Sequence, residues 1–319
     1  MQLIRSPAPL FLVTGGSGQL GRELRRVLSR QGDVIAPSRS ELDLASPVSI
    51  REVIRRVKPS VIVNAGAYTA VDRAESERDV CFAVNAVAPA VLADEARDIN
   101  AALVHFSTDY VFDGTKLDPY VETDQPLPLN AYGQSKLEGE RAIAASEAAW
   151  VVLRTSWIYS AYGKNFLTTV LRLARERAEL CIVDDQIGSP TPATAIAAAT
   201  ASLINRARQR TEDIGEAIRA DRGVYHYASS GWTSWCGFAR AILDAFPDAD
   251  RRALAVRAIE TQEYATPARR PANSRLDSSR ILETFGLSTL PWNDELAREA
   301  AAIRAPVGTR VHSRVSSSL

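Results

Sequence analysis

The chain has 319 residues, of which 46% are hydrophobic and 24% are charged, a composition typical of globular proteins. Its 38 lysines and arginines equal its 38 aspartates and glutamates, so no overall charge attracts nucleic acid or an anionic membrane. Any anionic ligand must therefore be bound by local groups.

Cysteines, histidines and the first apolar run exclude several other classes. The cysteines Cys81, Cys181 and Cys236 are odd in number and far apart, which favours reduced thiols over a disulfide framework. The three histidines have no metal-ligand spacing, so we expect no metal site within the chain. The apolar run at residues 9–13 is too short for a signal peptide or a membrane span. We predict a cytoplasmic protein without membrane or nucleic-acid partners.

In the first half of the chain, apolar runs alternate with helical segments. Five runs predict buried strands, at residues 11–13, 34–36, 61–63, 103–106 and 151–153. Four segments predict helices, at residues 18–30, 47–57, 80–100 and 132–145. Strands that are apolar on both faces indicate a parallel sheet covered by helices on both sides. The fold class predicted is α/β, with a Rossmann-like doubly wound sheet.

After residue 160 the alternation is less regular. Helices are predicted at residues 165–177, 193–208, 235–245 and 293–303, strands at 180–183 and 224–227, and a loop at 262–277. We predict a dinucleotide-binding domain over residues 1–160 that also receives residues 223–245. A smaller C-terminal substrate-binding domain is predicted over 161–305, and a flexible tail over 306–319.

Three glycines, Gly15, Gly18 and Gly21, follow the first predicted strand and open the first helix. Glycines in this context permit a tight turn, close approach of a pyrophosphate and close packing of helix on sheet. Surface turns also produce such strings, but the strand–turn–helix context favours nucleotide binding. The spacing is GxxGxxG rather than GxGxxG, and no GK[ST] follows, which disfavours a phosphate-transferring P-loop.

The segment after the second strand predicts the cofactor preference. An acidic residue there favours NAD, whereas a basic one favours the 2′-phosphate of NADP. The chain has Ser38 and Arg39, which favours NADPH with NADH as the alternative, although Arg39 fits a solvated surface equally well. Asp43 and Leu44 are expected to line an adenine pocket, and residues 64–68 to pass close to the cofactor.

Tyr132 and Lys136 lie four residues apart at the start of a predicted helix, so both side chains share one face. A nearby ammonium favours the phenolate, and we expect it to lower the pKa of Tyr132 toward the working range. Thr108 ends the fourth strand, where its hydroxyl can polarise a carbonyl beside Tyr132. Alone, such a pair is also common on ordinary helix surfaces.

Together these motifs resemble an extended short-chain dehydrogenase/reductase and, more narrowly, the dTDP-4-dehydrorhamnose reductase family. The stretches that carry the narrower resemblance are residues 18–21 (GQLG), 70–75 (AVDRAE), 107–114 (STDYVFDG), 154–159 (RTSWIY), 184–191 (DDQIGSPT) and 269–274 (RRPANS). They spread over roughly residues 10 to 300. Tyr68 and Asp113 depart from the histidine and proline that the family often has at these positions.

The resemblance implies NAD(P)H-dependent reduction of the C4 ketone of dTDP-4-dehydro-L-rhamnose, with Thr108, Tyr132 and Lys136 as catalytic residues. The cofactor contacts that it implies are Gly18, Gln19, Leu20, Asp43, Leu44, Gly66, Ala67, Tyr68, Tyr132 and Lys136. It places the sugar nucleotide near Thr108, Asp109 and Trp157. Because the chain is neutral, Arg269 and Arg270 are added as candidate diphosphate contacts, each nearly as well explained by a solvated turn.

Several alternatives remain open. Tyr110 stands where related dehydratases carry an acid, which favours plain reduction. The remaining alternatives are a non-catalytic, nucleotide-binding regulatory subunit on the same fold and a reductase of another nucleotide-linked 4-keto sugar. Some members of the family form a magnesium-bridged dimer, so we expect a monomer or a homodimer, with magnesium a candidate only at the interface.

Overall fold

The computed structural model describes residues 8–247, 252 and 255–304. The strands are β1 (Leu10–Thr14), β2 (Asp33–Ile35), β3 (Val61–Asn64), β4 (Ala102–Thr108), β5 (Ala149–Thr155), β6 (Ile158–Tyr159), β7 (Glu179–Val183), β8 (Ile187–Gly188), β9 (Thr191–Pro192), β10 (Gly223–His226), β11 (Thr233–Ser234) and β12 (Ala255–Ile259). The helices are α1 (Gln19–Leu28), α2 (Pro47–Val57), α3 (Val71–Ala74), α4 (Arg78–Phe82), α5 (Ala88–Asp98), α6 (Ala131–Ala145), α7 (Phe166–Glu176), α8 (Ala193–Arg210), α9 (Ile214–Ala220), α10 (Trp235–Ala245), α11 (Ser279–Phe285) and α12 (Trp292–Arg304).

Six parallel strands form the central sheet in the order β10-β5-β4-β3-β1-β2. Every residue of β3, β4 and β5 is buried, because one apolar cluster with α1, α8 and α9 covers one face and another with α2 and α5 covers the other. The prediction of a doubly wound parallel sheet is therefore confirmed.

The register of the sheet aligns polar residues of three neighbouring strands, at the last residue of β1 and of β3 and three residues before the end of β4. Thr14 of β1 pairs with Asn64 of β3, and Asn64 pairs in turn with His105 of β4. Because all three strands are parallel, these side chains reach the same edge of the sheet, where open α/β folds place their sites. A row of polar residues thus crosses the sheet next to the glycine loop.

A second, smaller cluster of apolar side chains joins α7, α10 and α12. Short pairs β7–β12, β8–β11 and β6–β9 accompany it. The predicted domain boundaries stay a prediction. Within residues 223–245, the structure separates β10, which pairs with β5, from α10, whose apolar residues pack in the smaller cluster.

The helix predicted over residues 80–100 is interrupted. A π-helical turn, Ala83–Val87, lies between α4 and α5. Pro89 explains the interruption, because it has no N–H to donate to the carbonyl of Asn85, as a continuous α-helix would require. The turn buries the side chain of Asn85 beside α6.

The predicted tail over residues 306–319 lies outside the described residues. Among the helices of the described part of the chain, none has the length and apolar character that a membrane span needs. Nor do residues 8–247, 252 and 255–304 contain a group of three or more His, Cys, Asp or Glu side chains that could hold a metal ion. A magnesium site shared between two copies stays a prediction.

Candidate active site

Two adjoining cavities of about 420 and 410 Å³ open at the carboxyl ends of β1, β3 and β4. They share Gly15, Ser17, Gly66 and Ala67, so a single elongated ligand can extend through both. A larger cavity of about 1220 Å³ lies at the opposite, amino end of the strands. Because parallel α/β sheets place their sites at the carboxyl ends, we assign the site to the two adjoining cavities.

The glycine loop requires glycine at two positions for steric reasons. Gly15 has a φ of +63°, and a Cβ on it would lie 2.7 Å from the Cα of Gly66. A Cβ on Gly21 would lie 2.1 Å from the carbonyl oxygen of Gly15. The loop therefore packs directly against the end of β3 and against its own helix, which leaves backbone rather than side chains at the cavity wall. Gly18 caps α1, and Gln19 and Leu20 of its first turn also line the first cavity.

The second cavity is lined by Arg39, Asp43, Leu44 and Tyr68 from the predicted cofactor set. Arg39 is exposed. The backbone N–H of its neighbour Ser38 donates to the Glu41 carboxylate at 2.7 Å. The carboxylate of Glu41, the closest acid in the sequence, is thus bound by the backbone of the same segment.

Tyr68 lines the wall of the second cavity, and its side chain is held by a hydrogen bond to Glu77, the residue before α4. Its hydroxyl donates to Glu77 at 2.6 Å, and Glu77 also accepts from Arg73. The side chain of Asn85, from the π-helical turn, binds both the N–H and the carbonyl of Tyr68, at 2.9 and 3.0 Å. Asn85 also donates to Ser135 of α6, so it fixes the loop after β3 to the helix that carries Tyr132.

Thr108 and Tyr132 are brought together as predicted. The side chain of Thr108 is near enough to the Tyr132 hydroxyl to influence its pKa, and Thr108 donates its own proton to Asp109 at 2.9 Å. The approach of α6 requires Gly133, because a Cβ there would lie 2.1 Å from the carbonyl oxygen of Tyr110. The side chain of Asn130 caps the helix by accepting from the N–H of Gly133.

The predicted lowering of the pKa of Tyr132 is wrong for this structure. Burial of the hydroxyl raises this pKa above its ordinary value, the Asp109 carboxylate adds to the effect, and the nearby Thr108 side chain opposes it. The ring itself is half-buried and lines the first cavity. The phenol therefore stays protonated in this structure, although the raised pKa makes it a weaker acid than an ordinary tyrosine.

Lys136 is 2% exposed and lies at the wall of the first cavity. Its Nζ donates to the carbonyl of Phe106 at 2.6 Å and lies 3.1 Å from Nε2 of His105. Burial lowers the pKa of Lys136 from 10.5 to about 8, against the opposing charges of Glu140 and Cys81. Lys136 therefore titrates close to neutral pH.

Three residues of the site, His105, Ser107 and Asn85, were not singled out by the sequence. His105 and Ser107 lie inside the fourth predicted strand run or at its end, so their positions beside Lys136 and the cavity depend on strand register, which periodicity does not give. Asn85 was hidden inside a segment predicted as one regular helix. Pro89 was the available signal for a break there.

The predicted substrate residues fall into different environments. Asp109 is 3% exposed, and burial raises its pKa to about 6 against hydrogen bonds from Ser274 and Thr108. Trp157 is buried and stacks on Trp235 with ring centroids 3.5 Å apart, so one face of its indole is covered.

The two predicted diphosphate contacts also differ from each other. Arg269 is exposed, and its backbone carbonyl accepts from Asn130. Arg270 is partly buried and forms an ion pair with Asp72 at 2.9 Å, so part of its charge is already neutralised.

The cavities fit a dinucleotide in shape and in chemistry. Glycine backbone lines the point where they meet, and a helix N-terminus faces it, which is the arrangement that holds a pyrophosphate. The Ser107 hydroxyl is buried and lines the first cavity, yet it has no hydrogen-bond partner among residues 8–247, 252 and 255–304. Such a group costs free energy unless a ligand satisfies it.

Comparison with known proteins agrees with this geometry. The family model of the RmlD substrate binding domain matches residues 10–304. A dTDP-4-dehydrorhamnose reductase of Burkholderia thailandensis is 48% identical over 287 residues, 88% of this chain and 95% of the relative. One of Escherichia coli K12 is 39% identical over 291 residues, 88% and 94% of the two chains. The crystal structure of dTDP-4-dehydrorhamnose reductase from Bacillus anthracis str. Ames in complex with NADP is 32% identical, with a TM-score of 0.81 over 92% of this chain and 99% of that one. The chain belongs to the dTDP-4-dehydrorhamnose reductase family.

Proposed function

We infer that the protein reduces the C4 ketone of dTDP-4-dehydro-L-rhamnose to dTDP-L-rhamnose with a nicotinamide cofactor. The observation that carries this inference is the position of Tyr132, with Thr108 next to it, at a cavity that the glycine loop also lines. A proton donor, a carbonyl partner and a place for a dinucleotide are the parts that ketone reduction needs. Membership of the reductase family supplies the substrate.

The residues that would hold the cofactor are Gly15, Gly18, Gln19, Leu20, Gly66, Ala67 and Ser107 in the first cavity and Arg39, Asp43, Leu44 and Tyr68 in the second. Gly21 would act indirectly, by packing against Gly15 in the loop. When bound, NAD(P)H supplies the hydride. We propose NADPH as the preferred form, because Arg39 lines the second cavity while Glu41 is held by the N–H of Ser38. The NADP bound to the Bacillus anthracis relative supports the same choice.

In the proposed step, Tyr132 donates its proton to the C4 oxygen as negative charge develops there. The phenol is protonated at neutral pH, so the proton is available, and the charge that develops on the C4 oxygen drives its transfer. The Thr108 hydroxyl binds the same oxygen and stabilises the developing charge. Lys136, bonded to the carbonyl of Phe106, is placed on the next turn of α6 to hold a ribose hydroxyl and to restore the proton of Tyr132.

For the sugar nucleotide, we propose Asp109 as the partner of a hexose hydroxyl, since it lies next to Thr108. Trp157 is proposed as the aromatic contact of the hexose; Trp235 stacks on its indole and Gly188 also packs against the ring, so the contact would be with the part of the ring that these two residues leave uncovered. Arg269 is proposed for the diphosphate, whereas Arg270 would have to share its charge between the diphosphate and Asp72. The smaller C-terminal unit is proposed as the substrate-binding domain.

The test is substrate-dependent oxidation of NADPH by wild type and by Tyr132→Phe, measured across a panel of nucleotide-linked 4-keto sugars. Loss of the general acid should lower kcat by about 10² or more on the preferred sugar. Tyr225→Phe is the matched control, because Tyr225 lies in β10, outside the two cavities, and its phenol oxygen donates to the carbonyl of Asp221. Near-normal turnover by Tyr132→Phe would refute the assigned acid. A wild type inactive on every sugar would favour the regulatory subunit, and preference for another sugar would correct the substrate.

A further inference from the structure

His105 is a buried histidine in contact with Lys136, and the proposed reduction gives it no role. Its ring is 1% exposed, with Nδ1 2.9 Å from Nδ2 of Asn64 and Nε2 3.1 Å from Nζ of Lys136. Burial lowers the pKa of His105 well below its ordinary value, and the charge of Lys136 lowers it further. The ring is therefore neutral and carries one proton, on one of its two nitrogens.

A chain of hydrogen bonds that begins at a backbone amide decides which nitrogen carries the proton. The N–H of Gly66, whose direction is fixed, donates to Oγ1 of Thr14 at 3.1 Å. Thr14 in turn donates its hydroxyl proton to Oδ1 of Asn64 at 2.5 Å. The oxygen of the Asn64 amide therefore faces Thr14.

The rest of the chain follows from this orientation. With its oxygen toward Thr14, Asn64 presents its NH₂ group to Nδ1 of His105, which must accept. The single proton of the ring then lies on Nε2, which points at Nζ of Lys136. An N–H facing an ammonium finds no acceptor, whereas the neutral amine of a lysine has a lone pair that accepts it.

We propose that His105 is a positioning residue for the reduction: it donates its Nε2 proton to Lys136 and favours the amine of that lysine over the ammonium. The inference rests on the proposed function only in giving the lysine a catalytic purpose. The first donor is Gly66, which lines both cavities. The series of hydrogen bonds therefore also connects the cavities with Lys136, through Thr14, Asn64 and His105.

Other groups around Lys136 shift its protonation equilibrium, some toward the ammonium and some toward the amine. Glu140, one turn further along α6, and Cys81 of α4 favour the ammonium, and the carbonyl of Phe106 accepts from either form. His105 and burial oppose them. A lysine balanced in this way gives up a proton more readily, so it can reprotonate a Tyr132 phenolate after turnover and then regain its proton from solvent.

The first test is the tautomer of His105, read from ¹⁵N chemical shifts of histidine-labelled protein without cofactor, above the pKa of Lys136. The chain has three histidines, His105, His226 and His312, and the spectrum of His105→Gln assigns the signals. We expect a protonated Nε2 and an unprotonated Nδ1. A ring protonated on Nδ1, or on both nitrogens, overturns the proposal. This result does not depend on any sugar substrate, so it is separate from failure of the proposed function.

The second test interrupts the series of hydrogen bonds near its start, at Thr14. Thr14→Val removes the hydroxyl and frees Asn64 to turn its oxygen toward His105, whereas Thr14→Ser keeps the hydroxyl and is the matched control. In Thr14→Val we expect signal from the Nδ1-protonated ring and a high-pH limb of kcat moved upward by up to about one pH unit. Thr14→Ser should behave as wild type. An unchanged tautomer in Thr14→Val, or a limb that moves downward, contradicts the proposal.

Discussion

Two buried cations, Lys136 and Arg154, lie on adjacent elements of the same core but are satisfied in different ways. Arg154 on β5 forms a bidentate pair with Glu140, at 2.9 and 2.6 Å, and both side chains are 4% exposed. Lys136, four residues before Glu140 on α6, is bonded to a carbonyl and a neutral histidine. A guanidinium fixed by a carboxylate keeps its charge, whereas an ammonium without a contacting carboxylate titrates. The first arrangement suits stability and the second suits catalysis.

The largest expected effect is on the structural cation. Arg154→Met should lower the free energy of unfolding by about 3–5 kcal/mol, because it leaves the buried Glu140 carboxylate unpaired. Chemical denaturation of the variant measures the loss. The double variant Arg154→Met with Glu140→Leu removes both charges and should recover most of it. A double variant as unstable as the single one would show that packing, not the unpaired charge, causes the loss.

For Lys136 the opposite effect is expected, because its buried charge lowers the free energy of unfolding. The pKa of Lys136 is about 8 in the folded protein and 10.5 ordinarily, so the unfolded chain binds more protons between these values. Wild-type stability should therefore rise with pH across this window. At neutral pH the ammonium is present and costs up to about 3 kcal/mol at 1.36 kcal/mol per pKa unit.

Lys136→Met should accordingly be as stable as wild type or more stable at neutral pH, and should lack the rise toward high pH. Its kcat should fall by about 10² or more, the scale expected when a group that supports general acid catalysis is lost. Denaturation at several pH values, together with NADPH oxidation, measures both effects. A loss of stability as large as that of Arg154→Met would place Lys136 with the structural cations, and the contrast would fail.

The sequence predicted the sheet, the glycine loop and the set of Thr108, Tyr132 and Lys136, because each rests on local pattern or spacing. The surroundings of these side chains were harder to predict from the sequence. The spacing of Tyr132 and Lys136 predicted a lowered pKa for the tyrosine, yet the enclosed hydroxyl and Asp109 raise it. The contact of Lys136 with His105 depends on how α6 packs against β4, and the cover on Trp157 comes from Trp235, far along the chain. Such contacts depend on tertiary packing, which hydrophobic periodicity does not specify.

The smallest structural effect is expected for a third cation, Arg39, which sharpens the contrast because its side chain is exposed. Arg39→Ala should leave the free energy of unfolding within about 0.5 kcal/mol of wild type. If Arg39 binds the 2′-phosphate, its loss should raise KM for NADPH by roughly 10-fold, since hydrogen bonds to charged groups contribute about 1.5–3 kcal/mol, and should barely change KM for NADH. Arg30→Ala, which removes an exposed arginine just after α1, is the matched control and should change neither value. Equal changes in both KM values for Arg39→Ala would mean that Arg39 does not distinguish the two cofactors.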